Sequence, residues 1–279
     1  MLKFHRLAAA SLACTFGSAT AFAQDDPAGF NGFYVGGAVG ITMQNDRDND
    51  TVVFDTNRDG RFDNGVVNTI GENVFTPGFC NGSSTSSAPG GCREDRNRID
   101  YGVRLGYDGR LGGSLVLGAL VEVNKNKSSE STTAFSTTPA GYSFTRELDY
   151  AISGRGRIGL TPGGRALVYG TGGISYAKID HDFFTTNTAN SFSPVNERDW
   201  VWGIQAGGGG EFMLTDNISI GAEYLYNRYD DDKYFVAIGP GTANPLTNPF
   251  LLNGGGTNFR PAGTNFDFHT VRATVNFHF

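Results

Sequence analysis

A short acidic stretch of the sequence has the residue types and spacing of a calcium-binding loop. In the stretch DTNRDGRFD, Asp55, Asn57, Asp59 and Asp63 take the first, third, fifth and ninth places of an EF-hand loop. The twelfth place, which should hold a bidentate glutamate, is Val66, and the Asp-Gly pair inside the stretch is equally a turn signal. We therefore predict a turn-rich loop and no cofactor, with a weak calcium site at these four oxygen-bearing residues as the open alternative.

The histidines are the second set of residues with catalytic potential. Beyond residue 23 the sequence contains His181, His269 and His278. A serine hydrolase would need one of them as a base beside a nucleophile and an acid, and no local signature brings such groups together. Haem or transition-metal binding by His181 and His269 is a weaker alternative. We predict that the protein is not an enzyme.

The first 23 residues have the features of a secretory signal peptide. Lys3 and Arg6 precede a short stretch of small and apolar residues, which ends in the A-x-A cleavage site AFA at 21–23. The apolar stretch is too short to span a bilayer. We predict cleavage after Ala23 and a single barrel domain at 24–279.

The charge balance and the cysteines then narrow the class of protein. Removal of Lys3 and Arg6 with the leader leaves 20 basic and 28 acidic residues, a net charge of −8. An acidic exported chain is poorly suited to binding nucleic acid. The two remaining cysteines, Cys80 and Cys92, would lie in an oxidising compartment, where we predict that they form a disulfide.

Eight segments beyond the leader alternate between apolar residues and polar or small ones. Each has the period of a β-strand and, at about 9–15 residues, is long enough to cross a bilayer as a tilted strand. In the fourth, Leu148 and Tyr150 share the apolar face, whereas Asp149 shares the polar face with Arg155 and Arg157. The facing of the glycine-rich fifth segment is ambiguous. The segments are 33–43, 99–107, 115–124, 148–160, 165–180, 200–214, 218–227 and 269–279.

The connections between these segments alternate strictly in length. Long connections with short turns between them are the pattern of an outer-membrane barrel, whose long loops face outward and whose short turns face the periplasm. An even number of strands then places both termini on the short-turn side. The long connections are 44–98, 128–144, 183–198 and 235–265, and the short ones are 111–113, 161–164 and 215–217. The sequence therefore predicts an all-β protein, a closed eight-stranded antiparallel up-and-down barrel.

The polar face of the segments collects charged residues of both signs. In a barrel of eight strands this face lines a lumen just wide enough to be filled by side chains. Buried charges must be paired, so we predict an ion-pair network that fills the lumen, with the lining of a small selective pore as the alternative. The residues are Asp100, Arg104, Glu122, Asp149, Arg155, Arg157, Glu211, Glu223 and Arg272.

Several segments also resemble a known family. The opening GFYVGGAVG, the segment YGTGGISYAKID, the strand SIGAEYLYNRY and the ending FDFHTVRATVNFHF are similar to those of OmpA-like barrels and opacity-type surface antigens, the porin-family proteins of Gram-negative bacteria. Val275, Phe277 and Phe279 resemble the terminal signal that this family presents to the barrel-assembly machinery. OmpA itself carries a cell-wall-binding domain after its barrel, and the present sequence stops at the last strand, so we do not transfer that role.

The resemblance implies a location and a set of functions. We expect a monomer in the outer membrane, surrounded by lipid, with both termini periplasmic. We predict a structural role in envelope integrity and surface display. A low-conductance channel for small solutes is the alternative, and a third possibility is an adhesin or receptor that binds a surface partner through its loops, including the long first loop at 44–98.

Overall fold

The computed structural model describes residues 29–44, 51–89, 91–95 and 97–279, so the predicted signal peptide lies outside the described residues. The described part of the chain contains no helix with the length and hydropathy that a membrane-spanning helix requires. It forms the following strands: β1 (Gly32–Gln44), β2 (Val52–Asp55), β3 (Gly78–Asn81), β4 (Arg98–Leu111), β5 (Leu115–Asn126), β6 (Ser129–Ser136), β7 (Ala140–Leu160), β8 (Ala166–Thr185), β9 (Ser191–Val195), β10 (Arg198–Met213), β11 (Ile218–Asp230), β12 (Phe235–Gly239), β13 (Thr257–Pro261) and β14 (Asn265–His278).

Eight of these strands close into an antiparallel barrel. Their order around the ring is β7-β5-β4-β1-β14-β11-β10-β8, and pairing of β8 with β7 closes it. Closure leaves no barrel strand with an unpaired edge, as a lipid environment requires. The predicted fold is confirmed.

The two faces of the barrel wall differ in the way the alternation predicts. Val103, Trp202 and Ile158 point outward and are largely exposed, whereas their strand neighbours Arg104 and Arg157 point inward and are buried. An apolar outer wall around a polar interior is the arrangement of a barrel surrounded by lipid. The fifth barrel strand, β8, follows the same rule.

The facing of two residues in β7 was predicted wrongly. The register between β7 and β8 shifts between Leu148 and Tyr150, so Asp149 is the extra residue of a β-bulge. A bulge inverts the alternation on one side of it. Leu148 is therefore buried inside the barrel, while Asp149 lies at the outer rim rather than in the lumen.

The long connections also contain more structure than the sequence predicts. The segment 128–144, expected to be a loop, forms β6 and the start of β7, which pair with each other. Strands β2, β13, β12 and β9 form a second, four-stranded sheet. Together with β3 and β6 this sheet encloses a core of aromatic and aliphatic side chains, including Phe54, Tyr142, Phe144, Val236 and Phe259. We call these structures at the loop end of the barrel the loop-end cap.

Candidate functional site

Three arginines and three carboxylates form a central cluster in the lumen. Each of the six side chains is almost completely buried. Antiparallel pairing places Arg104 directly beside Glu122 and places Arg272 beside Glu223. The central cluster consists of Asp100, Arg104, Glu122, Arg155, Glu223 and Arg272.

Arg272 binds the carboxylates of this cluster on three different strands. Its guanidinium lies 2.7 Å from Glu122, 2.6 Å from Glu223 and 3.3 Å from Asp100. Gly40 of β1 faces Arg272, and a Cβ atom there would collide with the Arg272 side chain and the Val271 carbonyl. Glycine at this position therefore makes room for the arginine.

Glu223 is the carboxylate with the most partners in the central cluster. In addition to Arg272, it accepts hydrogen bonds from Arg104 at 3.2 Å and Arg155 at 3.1 Å. The Tyr169 hydroxyl donates to its other oxygen at 2.9 Å. Charge-assisted hydrogen bonds of this kind are the stronger ones in proteins, and here they compensate the burial of both signs of charge.

A second group of charges lies nearer the short-turn end. Arg157 donates to Asp108 through Nε at 2.7 Å and through a second, very short bond, and it donates to Glu211 at 2.7 Å. Its guanidinium also lies over the rings of Tyr34 and Tyr169, 4.7 and 5.1 Å from their centroids. Arg157 is thus enclosed by two carboxylates and two aromatic faces.

Asp108 also lies in the lumen, although the predicted set does not include it. It is fully buried against Arg157, and it continues the inward positions of β4 after Asp100 and Arg104. The alternation of β4 was followed only to Tyr107, although one further step would have included Asp108. Apart from Asp149, the residues of the predicted set all point into the lumen.

Apolar layers lie on either side of the charged interior. Phe30, Val116, Leu167 and Met213 pack with Tyr169 towards the short-turn end. On the loop side, Leu148 packs with the other buried residues Ala151, Ala177, Ile179, Val201, Tyr229, Phe266 and Phe268. The members of this loop-side apolar layer come from β7, β8, β10, β11 and β14, and the Arg146 guanidinium lies over the Phe266 ring, 5.0 Å from its centroid.

A separate buried group of charges joins the barrel to the loop-end cap. Arg146 donates to Glu130 at 2.7 Å and to Asp231 at 3.3 Å, and His181 hydrogen-bonds Asp231 at 2.9 Å while stacking on Tyr234. Burial raises the pKa of Asp231, but the hydrogen bond with His181 and the charge of Arg146 outweigh this, so the pKa lies below its usual range. We call this group the junction cluster.

The three histidines have separate surroundings. His181 belongs to the junction cluster, whereas His269 lies in the outer wall, hydrogen-bonded to Tyr224 at 2.6 Å. His278 points inward at the short-turn end and contacts the Ser219 hydroxyl at 3.0 Å. Such partners suit structural histidines, and the described residues include no group of three or more His, Cys, Asp or Glu side chains arranged for a metal.

The stretch with calcium-loop spacing is ordered by its own hydrogen bonds. Asp55 is buried and accepts the backbone N–H groups of Asp59 and Gly60, each at 3.1 Å. Asn57 accepts the Asp59 N–H at 3.3 Å, and the Asp63 carboxylate accepts from the side chain of Asn64. These bonds explain the turn without an ion, and the calcium site stays a prediction.

Two further predicted features lie at opposite ends of the barrel. Cys80 and Cys92 form the expected disulfide in the first long connection, with Cα atoms 6.1 Å apart. Val275, Phe277 and Phe279, the residues of the predicted assembly signal, are all exposed on the outer wall at the short-turn end.

A closed eight-stranded barrel with an apolar outer wall and a charged interior defines a membrane-spanning β-barrel protein. Residues 121–279 match the family model of the outer membrane protein beta-barrel domain. The chain belongs to this family and is an outer-membrane β-barrel protein.

The chain is also similar to individual proteins. The chain is 27% identical over 178 residues to the 31 kDa outer-membrane immunogenic protein of Brucella melitensis biotype 1, and equally to that of Brucella suis biovar 1. The match covers 64% of this chain and 65% of each relative. The crystal structure of the outer membrane protein OprG from Pseudomonas aeruginosa is 11% identical, with a TM-score of 0.47 over 91% of this chain and 100% of that one.

Proposed function

We propose that the protein has a structural role in the outer membrane and displays its loop-end cap at the cell surface. In this proposal the loop end faces the outside and both termini face the periplasm, as short turns on the periplasmic side would require. The barrel acts as a monomer anchored by lipid around its outer wall. It has no catalytic role.

The observation that carries the structural role is the filled interior. Arg272 binds Glu223 on the neighbouring strand and Glu122 across the lumen, and apolar residues such as Leu148 and Phe268 pack on the loop side. A solute would have to separate these buried ion pairs. That step is costly, because it would leave buried charges without partners.

The cap supports the display function. Its second sheet and its aromatic core hold the long connections in one arrangement, and binding residues tend to lie on loops that a rigid scaffold positions. Brucella relatives of similar sequence are described as immunogenic outer-membrane proteins. By analogy, we propose that the cap is the surface that external partners meet.

The residues at the end of β14 suit a role in assembly. Val275, Phe277 and Phe279 place apolar side chains at every second position of the outer wall. We propose that they are the signal recognised by the barrel-assembly machinery. Replacing Phe279 with Ser should lower the amount of folded protein in the outer membrane, whereas the outward residue Val168, replaced with Thr, should serve as the neutral control.

Planar bilayers test the structural role against the channel alternative. The purified full chain should give no reproducible single-channel steps. Arg272→Ala and Glu122→Ala variants provide the matched comparison, because each removes part of the central cluster. Regular conductance steps from the unmodified protein would support the low-conductance channel instead.

Cells that lack the protein should become more sensitive to detergent, and unchanged sensitivity would contradict a role in envelope integrity.

A further inference from the structure

Lysines are concentrated at one place on the outer wall of the barrel. The sequence after residue 23 contains four lysines, Lys125, Lys127, Lys178 and Lys233. The first three lie on β5, after β5 and on β8, at the loop-end rim of the wall. This local group of basic residues contrasts with the net negative charge of the whole chain.

The register of the barrel places these lysines next to aromatic residues. Lys125 pairs with Tyr101 on one side and Tyr150 on the other, and Tyr150 pairs in turn with Lys178. Lys178 then pairs with Trp200 of β10. Tyrosine and tryptophan of membrane barrels mark the boundary between acyl chains and head groups. The lysines therefore lie at the depth of the head groups.

The bulge in β7 collects the three ammonium groups around one carboxylate. Asp149 lies 3.4 Å from Lys125, 3.7 Å from Lys127 and 3.2 Å from Lys178. Glu147 also pairs with Lys127, and Asp180 lies 3.6 Å from Lys178. One carboxylate cannot saturate three ammonium groups, each of which has three donors. Lys125 also donates to the Tyr150 hydroxyl at 3.0 Å, so one of its three donors is left for another acceptor.

A groove in the outer wall begins at Lys125. It has a volume of about 750 Å³ and is lined along its length by Val39, Val103, Val123 and Val275. Small residues, Gly37, Gly102 and Ala273, form part of its lining, while Tyr101, Tyr150 and Lys125 lie at one end. An apolar groove with a cation at the head-group level has the shape and polarity of a site for one anionic lipid.

We propose that this groove and the three lysines bind a phosphorylated lipid of the outer leaflet. A phosphate accepts hydrogen bonds from Lys125, Lys127 and Lys178, and an acyl chain lies against the valines of the groove. The inference rests on the proposed function, because it requires the loop end to face the outer leaflet.

Tryptophan fluorescence provides a local signal for the test. The chain contains two tryptophans, Trp200 and Trp202, and Trp200 is the register partner of Lys178. The full chain in detergent is titrated with bis-phosphorylated lipid A, with the same lipid after removal of its phosphates, and with inorganic phosphate alone. We expect saturable binding of the phosphorylated lipid, much weaker binding of the dephosphorylated lipid and no response to inorganic phosphate.

Variants test separately how much the lysines and the groove contribute to lipid binding. A lysine near anionic head groups contributes roughly five-fold in affinity, so replacing Lys125, Lys127 and Lys178 with Gln should weaken binding on the order of 100-fold. Lys233→Gln is the matched control, since this lysine lies in the loop-end cap and pairs with Asp199. Gly37→Val narrows the groove at a position where a Cβ has room, because it meets only the Gly102 carbonyl at 3.7 Å. This variant should weaken binding of the same lipid roughly ten-fold.

The outcomes distinguish this proposal from the proposed function. Equal affinity of the triple variant and the unmodified protein, or equal affinity for the dephosphorylated lipid, would overturn the lipid site. Heat-dependent migration on denaturing gels reports whether each variant still folds, and the Gly37→Val result decides the matter if the triple variant does not. Loss of the site would leave the envelope role intact, whereas recovery of the protein outside the outer membrane would contradict the envelope role itself.

Discussion

Arg272 and Glu122 form a two-pronged ion pair across the barrel lumen. Nη1 and Nη2 of the arginine lie 2.7 and 3.0 Å from Oε1 and Oε2 of the glutamate. The two residues lie on β14 and β5, which are not neighbours in the ring. The pair therefore joins opposite parts of the wall, in addition to the backbone bonds between adjacent strands.

Removing one member of this pair should destabilise the barrel strongly. Arg272→Met leaves three carboxylates of the central cluster with only two arginines, Arg104 and Arg155. One uncompensated buried charge costs about 3–5 kcal/mol of the free energy of unfolding. Urea-induced unfolding in lipid vesicles measures the change. Arg165→Met is the control, because Arg165 is exposed and lies 3.9 Å from Asp216, so a change of at most about 1 kcal/mol is expected. Equal losses in both variants would contradict the structural importance of the lumen pair.

Asp108 and Asp149 should respond very differently to substitution. Asp108→Ala removes a buried partner of Arg157 and should cost about 3–5 kcal/mol of unfolding free energy. Asp149→Ala removes a surface partner of lysines and should cost about 1 kcal/mol or less. The same urea measurement compares them. A larger loss for Asp149 would favour the assignment made from strict alternation.

These two aspartates show where sequence reasoning reaches its limit. Alternation correctly places Arg104 and Arg272 in the lumen, because a strand of period two admits no other facing once lipid surrounds the wall. It fails at Asp149 because a bulge shifts the register of β7 by one residue, and no residue type in that stretch signals it. The same alternation, continued one residue beyond Tyr107, places Asp108 in the lumen.

The sequence did not predict the loop-end cap. Residues 128–144 contain alternating small and aromatic residues, but polar types such as Ser and Thr dominate the stretch, so it was assigned to a loop. The core of the cap assembles side chains such as Phe54, Tyr142 and Phe259 from connections that are far apart in the sequence. Periodicity within one segment cannot predict such contacts.

Acid should loosen the junction between the barrel and the cap. The pKa of Asp231 is lower in the folded state than in the unfolded state. The ionised carboxylate therefore stabilises the fold fully at pH values above the unfolded pKa of about 3.9. This stabilisation is lost as the pH falls through the folded pKa. Amide hydrogen exchange near Arg146 and His181 should therefore increase below about pH 4. Asp231→Asn should show faster exchange at pH 7 and a weaker acid response. An unchanged pH profile in this variant would exclude Asp231 as the cause.

Reduction of the disulfide should affect the first long connection and not the barrel. Cys80 and Cys92 are 12 residues apart in sequence, and Ser83, inside the closed loop, pairs with Arg93 directly after it. A cross-link of this length restricts the unfolded loop by about 3 kcal/mol. Tryptic cleavage after Arg93 should become faster in Cys80→Ser, while heat-dependent gel migration stays unchanged. Loss of that migration would show that the disulfide also supports the barrel.

The aspartate turn offers a test of the calcium prediction. Asp55→Ala removes the acceptor for the N–H groups of Asp59 and Gly60, so hydrogen exchange at both amides should rise whether or not calcium is present. Asp63→Ala, which removes an exposed carboxylate from the same stretch, is the control and should leave both amides protected. Calorimetric heat with calcium that disappears in Asp55→Ala and Asp59→Ala would instead establish the ion site.

Strand β7 gives the cap a fixed position relative to the bilayer. It is continuous over 21 residues, and at about 3.3 Å per residue it extends roughly 70 Å. The hydrocarbon core is about 30 Å thick, so even a tilted strand leaves much of its length outside the membrane. Cap and wall thus share one uninterrupted piece of backbone rather than a hinge. Under the proposed display role, a partner that pulls on the cap would act on the barrel wall through this strand.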